Sequence, residues 1–322
     1  MTSGMTKVEL ISHLLRELEA DVGTGGTAGI VFESLIDAIN SFKCESVSDF
    51  CSEFDRLVDM ICNTEPKFGV LNYHFIQLKD NFKQDLCSRN WNECRWKREA
   101  KKQIRKIIKL RKNNKKKILK YAEKINVNNK TILIHDHSHT VQDVLCHYKY
   151  LGKKFKVIIA EQDFDKTHDN IERFYKAGIP FKVVPAYMLS HVHEQIDMAF
   201  FGALTLKDSM EFVMDPGTIG TISEFHVIDV PIYMFINTTK FSLWKSRPKG
   251  EIFTREHKRM HHSKPIEYDR IKYSHDRVPL KLFSKVVTNE GIFDAKEMKR
   301  SFDKKLRDYL NLREKHAKAQ SL

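Results

Sequence analysis

Residue patterning predicts an α/β protein: an N-terminal helical domain, then a Rossmann-like parallel sheet flanked by helices. Three observations lead there. Residues 6 to 126 place apolar side chains at three- and four-residue steps, with no competing strand-like alternation. From 131 to 241, short apolar runs alternate with helix-length polar segments, the pattern of a parallel sheet buried on both faces. Between the two, 126–130 is polar. The boundary is placed there, giving domains 1–126 and 127–322.

In the first part, Val8, Ile11, Leu14, Leu15 and Leu18 predict one helix face. A Gly/Thr-rich break follows at 21–29, then a helix over 30–42 carrying Ile30, Leu35, Ile36 and Ile39. Ser46 to Asp49 starts a third helix that reaches Cys62, with Phe50, Phe54, Leu57, Val58 and Ile61 inside. Pro66 and Gly69 break the chain before a fourth helix over 70–89. Residues 95–120 form a strongly basic helix that includes Lys115, Lys116 and Lys117. Ile104, Ile107, Ile108, Ile118, Leu119, Ala122 and Ile125 supply its apolar stripe. The basic residues read first as a solvated face, because lysine commonly fills exposed helix positions. The alternative is a phosphate-binding helix for RNA. It lacks the interleaved aromatics of a single-strand stacking platform.

Strands are predicted at 131–135, 155–160, 180–184, 198–201 and 231–236. Parallel sheets bind ligands at the carboxyl ends of their strands, which directs attention to His135, Glu161, Gly202 and Asn237. Ser138 or Asp136 caps the helix after the first strand. The alternating His135, His137 and His139 suggest a metal site at first sight. They fall where strand becomes helix, and His191, His193, His261 and His262 are far along the chain. The preferred reading is ordinary polar residues near a cleft, and no metal. Gly178 and Pro180 close the second sheet-domain helix, and another helix opens at Val184 to Tyr187. The short run 212–214 leads into Gly217, Thr218 and Gly220, a strand-turn-helix with backbone N–H groups facing any anion. It is not a P-loop, since GK[ST] is missing. Residues 242–276 read as an irregular basic loop with Pro248, Gly250 and Pro265, and 278–287 and 294–312 as closing helices. Asp294 caps the last of these, and the polar tail from Arg313 frays.

Bulk properties agree with a folded, globular chain. The 322 residues are 41% hydrophobic and 30% charged, with a net charge of +13. That balance favours acidic partners such as RNA or a phosphorylated protein. No apolar run approaches the roughly 20 residues of a membrane span, so no membrane association is expected. The first five residues lack a basic start and an apolar core, so no secretory signal is expected. The six cysteines form no CxxC pair, and reduced thiols in cytosol or nucleus are expected.

The order of motifs resembles the alpha/beta/delta regulatory subunits of eukaryotic translation initiation factor 2B, a family related to isomerases of ribose 1,5-bisphosphate and methylthioribose 1-phosphate. The matching residues are Ile134-His135 with Ser138, Ala160-Glu161, Gly178-Ile179-Pro180, Gly202-Ala203 followed by Gly217-Thr218, and Lys240-Phe241. Asp276, Val278-Pro279-Leu280 and Thr288-Asn289-Glu290-Gly291-Ile292 resemble the family's ending. Length, and a helical front that includes Glu45 to Cys62, match the alpha-subunit pattern; beta is harder to exclude. The resemblance implies a cytoplasmic, non-catalytic regulatory subunit that forms a homodimer through its sheet domain. It implies other subunits of initiation factor 2B and the phosphorylated alpha subunit of initiation factor 2 as partners, and no cofactor. Its implied sugar-phosphate pocket maps onto His135, Ser138, Glu161, Gly217, Thr218 and Lys240.

The departures separate regulator from enzyme. The isomerases use a cysteine where this chain has Asp136 and an aspartate where it has Leu204. Asp215 stands where the family commonly has lysine, and it would repel phosphate. The rival expectations are a divergent sugar-phosphate isomerase or sensor, and RNA binding through 95–120.

Overall fold

A computed structural model describes residues 6–43, 46–64, 68–87, 91–135, 137–162, 164–244, 253–260 and 266–320. The chain divides into two compact units. One comprises Met1–Lys117, Asn237–Leu243 and Lys305–Leu322; the other comprises Ile118–Ile236 and Trp244–Lys304.

The first unit is helical. Helix α1 (Lys7–Ser41) begins with a Thr6/Glu9 capping box and is interrupted at Gly23, whose φ of 68° and ψ of 167° are not helical. The expected break over 21–29 thus narrows to one residue. Helix α2 (Val47–Cys62) starts with a Ser46/Asp49 capping box, which satisfies two backbone donors that a helix start leaves open. Helix α3 (Gly69–Phe82) gives way to a π-turn at Lys83–Cys87, so the helix expected over 70–89 is shorter than its pattern suggested. Helix α4 (Glu93–Ala122) carries the basic segment.

The helical core is aromatic. Phe50 stacks on Trp96 at 4.5 Å between ring centroids, Phe54 lies 4.6 Å from Phe82, and Phe32 stacks on Phe75 at 5.3 Å. All six rings are buried, each contributing about 1.5–3 kcal/mol of transfer free energy. The stripe on α4 falls in two parts. Ala100, Ile104 and Ile107 join this core, while Ile118 and Ala122 join the core of the sheet unit. The basic face is not wholly solvated. Lys101 Nζ lies 2.6 Å from Asn40 Oδ1, and Arg111 donates to the Gly25 carbonyl.

The second unit is built on a seven-stranded sheet. In chain order its elements begin β1 (Lys130–Ile134), α5 (His139–Tyr150), β2 (Phe155–Glu161), α6 (Phe164–Ala177), β3 (Phe181–Pro185) and β4 (Met198–Gly202). They continue with β5 (Thr205–Leu206), β6 (Glu211–Met214), α7 (Thr218–Val227) and β7 (Ile232–Phe235). Then come β8 (Phe253–Met260), β9 (Ile266–Tyr273), β10 (Asp276–Pro279), β11 (Lys285–Val287) and β12 (Ile292–Phe293), before α8 (Ala295–Gln320) closes the chain. The sheet order is β12-β11-β7-β4-β1-β2-β3. All pairings are parallel except β11 with β12. Leu133 sits between Ile158 and Ala199 on one face, and Ile134 between Ile159 and Phe200 on the other, so the centre of the sheet is apolar on both faces. The five expected strands are all present.

Several expectations need correction. The helix expected after Val184 is instead two 3-10 turns, Ala186–His191 and His193–Gln195. Residues 211–214 form β6, the middle strand of a separate antiparallel sheet ordered β10-β6-β5. The segment expected to be irregular contains the β8–β9 hairpin, while Pro248, Gly250, Pro265, His261 and His262 lie outside the described residues. The helix expected at 278–287 is β10, a 3-10 turn and β11; Pro279 adopts an extended ψ of 133°, and Val286 and Val287 pair with Met234 and Phe235. The final helix runs to Gln320, beyond the expected end. Cys62, Cys94 and Cys146 are not in disulfides, but Cys51 is disulfide-bonded, against the expectation of reduced cysteines.

Candidate ligand site at the carboxyl ends of the strands

From β1 the chain steps to β2 and β3 on one side, then returns to β4 on the other. The order of strands reverses at β1, and the crevice at the carboxyl ends of β1 and β4 is where doubly wound sheets bind ligands. His135 follows β1 and Gly202 ends β4.

His135 is only 4% exposed. Its Nδ1 lies 3.4 Å from Thr218 Oγ1, and Thr218 donates its hydroxyl hydrogen to the Asp215 carbonyl at 2.7 Å. Burial pushes the imidazole pKa down to about 4, although Asp215 pulls the other way. His135 is therefore a neutral group near pH 7 and brings no positive charge to an anion.

Ser138 caps α5, its Oγ accepting from the Val141 N–H at 3.4 Å. It lies hard against Gly202: a Cβ there would stand 2.0 Å from Ser138 Oγ and 2.6 Å from Ser138 Cβ. Gly217 precedes α7 with φ 86°, and a Cβ there would meet Gln162 Nε2 at 2.9 Å. The backbone angle favours glycine, while the Gln162 amide could swing aside. Thr218, fully buried, opens α7.

The α7 start is already engaged. The Ile219 N–H donates to Asp276 Oδ2 at 2.9 Å, and the Thr218 N–H to the Asp215 carbonyl at 3.3 Å. A carboxylate thus meets the positive end of the helix, as its dipole favours.

Of the six expected site residues, the structure brings His135, Gly217 and Thr218 together and seats Ser138 on Gly202. Glu161 is exposed at the end of β2. Lys240 lies in the Thr238–Lys240 turn, which packs on α3 in the helical unit; Asn237 Oδ1 accepts from the Thr239 N–H at 3.1 Å to fix that turn. Asp136 lies outside the described residues. Leu204 follows β4 as an apolar side chain and brings no acid or base there.

Patterning missed the contribution of α6. His135, His137, Ala160, Gln162, Lys166, Thr167 and Asn170 line a small, shallow cleft. Lys166 Nζ pairs with Asp215 Oδ2 at 2.7 Å, so the carboxylate expected to repel phosphate is met by a lysine. Thr167 and Asn170 are buried polar residues one helical turn apart, and Asn170 Oδ1 accepts from Gln142 Nε2 at 3.0 Å. Polar residues at that spacing on an inward helix face were the available sign. As it stands the cleft has room for about one water molecule.

Residues 24–295 match the model of the initiation factor 2 subunit family, and the chain belongs to that family. Translation initiation factor eIF2B subunit alpha of Dictyostelium discoideum is 27% identical over 152 residues, which is 47% of this chain and 47% of that protein. The match thus spans about half the length of the curated relative. Three solved structures share the fold. The tetrameric eIF2B beta2-delta2 complex of C. thermophilum aligns with a TM-score of 0.67 at 15% identity, over 92% of this chain and 93% of that one. The translation initiation factor eIF-2B of Pyrococcus horikoshii OT3 gives 0.66 at 17%, over 88% and 96%. The 5-methylthioribose 1-phosphate isomerase of the same organism gives 0.68 at 16%, over 94% and 88%.

Proposed function

We propose that the chain is a non-catalytic regulatory subunit of the guanine-nucleotide exchange factor for translation initiation factor 2, of the alpha type. It acts in the cytoplasm. It pairs with a second copy of itself, bridges the remaining subunits, and helps sense initiation factor 2 phosphorylated on its alpha subunit. The observation that carries this reading is the carboxyl end of β4. There Leu204 replaces the aspartate that the resemblance assigns to the isomerases, and the nearby His135 is buried, neutral and hydrogen-bonded within the fold. General acid–base chemistry needs a titratable group poised at the reacting atoms, and neither residue is one. No helix among the described residues is long and apolar enough to cross a membrane.

The test is a tagged pull-down from the native cell at moderate salt, read by mass spectrometry, together with the mass of the purified chain in solution. Recovery of exchange-factor subunits and a dimer mass are expected. A monomer that retains no such subunit overturns the reading.

A sugar-phosphate sensor is the second reading, favoured by the cleft between β1, β2 and α6 with Lys166 on its wall. A ligand of the native state must raise the melting temperature. An unchanged melting temperature at millimolar phosphosugar removes this reading.

A further inference from the structure

The histidines at the exit of β1 do converge, with a partner that patterning did not supply. His137, His139 and Asp169 place one ligand atom each within 4.8 Å of one another. The His137 and His139 rings are 4.5 Å apart between centroids and nearly perpendicular, at 71°. His137 Nε2 is buried and in ion-pair contact with Asp169 Oδ2 at 2.5 Å, off the geometry of a hydrogen bond. Two imidazole nitrogens and a carboxylate oxygen gathered this closely form a donor set that one metal ion can bridge.

The geometry points to a divalent transition-metal site, for zinc before others, held by His137, His139 and Asp169. Two imidazoles and one carboxylate are a donor set zinc takes, leaving a fourth position for water. Bond lengths of about 2.0–2.2 Å put neighbouring ligand atoms roughly 3–3.5 Å apart in a tetrahedron. The contact between His137 and Asp169 opens, and the widest separation closes, by side-chain rotation.

The scaffold holds two of the ligands on helices and His137 in the turn before α5. His139 is the first residue of α5, and Asp169 lies on α6. One turn further on, Asp143 pairs with Arg173 at 3.0 Å. Between those rungs, Gln142 donates to Asn170 at 3.0 Å. The pairs 139–169, 142–170 and 143–173 thus form a ladder across the α5–α6 contact, and the metal site is its first rung. The two cations one turn to either side of Asp169 on α6 are both neutralised, Lys166 by Asp215 and Arg173 by Asp143, which softens their repulsion of a metal ion. Asp169 keeps a side-chain exposure of 52%, so an ion can enter from solvent. His137 also lines the cleft, so the ion would fix the β1–α5 turn beside it.

The test uses the full chain, stripped with chelator and titrated with Co2+ and then Zn2+. The expected result is one Co2+ per chain, with visible d–d absorption and no intense thiolate charge-transfer band, displaced by Zn2+. Zn2+ should raise the melting temperature by several degrees, while Mg2+ leaves it unchanged. Both the absorption and the shift should be lost in His139→Ala and in Asp169→Asn. The second variant keeps the side-chain shape, and its metal-free melting temperature should equal that of wild type. Absence of a cobalt spectrum overturns the proposal. So does binding that survives both substitutions, or a thiolate band that disappears when the free cysteines are alkylated.

Discussion

Replacing Gly202 with alanine tests the tightest contact at the ligand crevice. The new Cβ would sit 2.0 Å from Ser138 Oγ and 2.6 Å from Ser138 Cβ. The hydroxyl can rotate away, but doing so ends its cap on the Val141 N–H, a loss of about 1 kcal/mol. The Cβ cannot rotate, so the remaining overlap must be relieved by a shift of β4 or of the α5 start. Overpacking of that kind costs about 1–3 kcal/mol. The sum is about 2–4 kcal/mol, or roughly 5–10 °C in the melting temperature of a unit this size. Thermal melts followed by circular dichroism read it directly. Removing the opposing side chain should remove the penalty: in a Ser138→Gly background, Gly202→Ala should cost under about 1 kcal/mol, a coupling expected only between residues in contact. A single Gly202→Ala variant that melts with wild type, or a double variant whose losses simply add, refutes the argument.

Other measurements probe other parts of the molecule. His74 is buried at the edge of Phe32, and burial lowers its pKa to about 4. An unfolded histidine titrates near 6.5, so between pH 6.5 and 4 the unfolded chain binds the extra proton. Stability should fall as pH drops through that window, by up to about 3 kcal/mol, and urea midpoints of His74→Phe should fall less steeply over the same range. Gly217→Ala should destabilise by about 1–3 kcal/mol through its left-handed φ and its contact with Gln162; an unchanged midpoint would show that the turn relaxes freely. Lys115, Lys116 and Lys117 are exposed on α4. Changing all three to glutamate should abolish salt-sensitive RNA binding if this helix carries it, whereas unchanged RNA retention would exclude the helix.

Much of the fold was legible because its strongest periodicities are long. The five parallel strands are apolar runs flanked by helix-length segments, and both faces of β4 are buried as such a run requires. The Ser46 cap was readable because a capping box is local. The β8–β9 hairpin was harder to read. Its second strand is exposed along its whole length, so no buried face enforces alternation; Ile266 and Tyr268 alternate, then Arg270 shifts the phase to Ile271 and Tyr273. At the site, Ser138 and Gly202 were each singled out, but 64 positions of separation hid the reason. The glycine is needed because the serine occupies the space of its Cβ. Asp169 was invisible for a similar reason: an acidic residue on an exposed helix face has no local mark, and only the α5–α6 packing sets it against His137.

Asp215 shows how a departure from a family pattern can mislead when read one residue at a time. Alone, it argues against phosphate. In the structure its carboxylate pairs with Lys166, which α6 brings to the wall of the cleft. The two charges are therefore one question. Asp215→Asn removes a negative charge from beside that lysine while keeping the size of the side chain. For a half-exposed pair the electrostatic gain to an incoming dianion is modest, about 1 kcal/mol or roughly fivefold in affinity. If the cleft accepts a sugar phosphate, the variant should bind it about fivefold more tightly than wild type in calorimetry, and added salt should shrink the difference. If neither protein binds, the charge pair is structural: it ties α6 to the loop before α7, and Asp215→Asn should then show only a small loss of stability. Equal, measurable affinity in both would mean that phosphate sits elsewhere than beside Lys166.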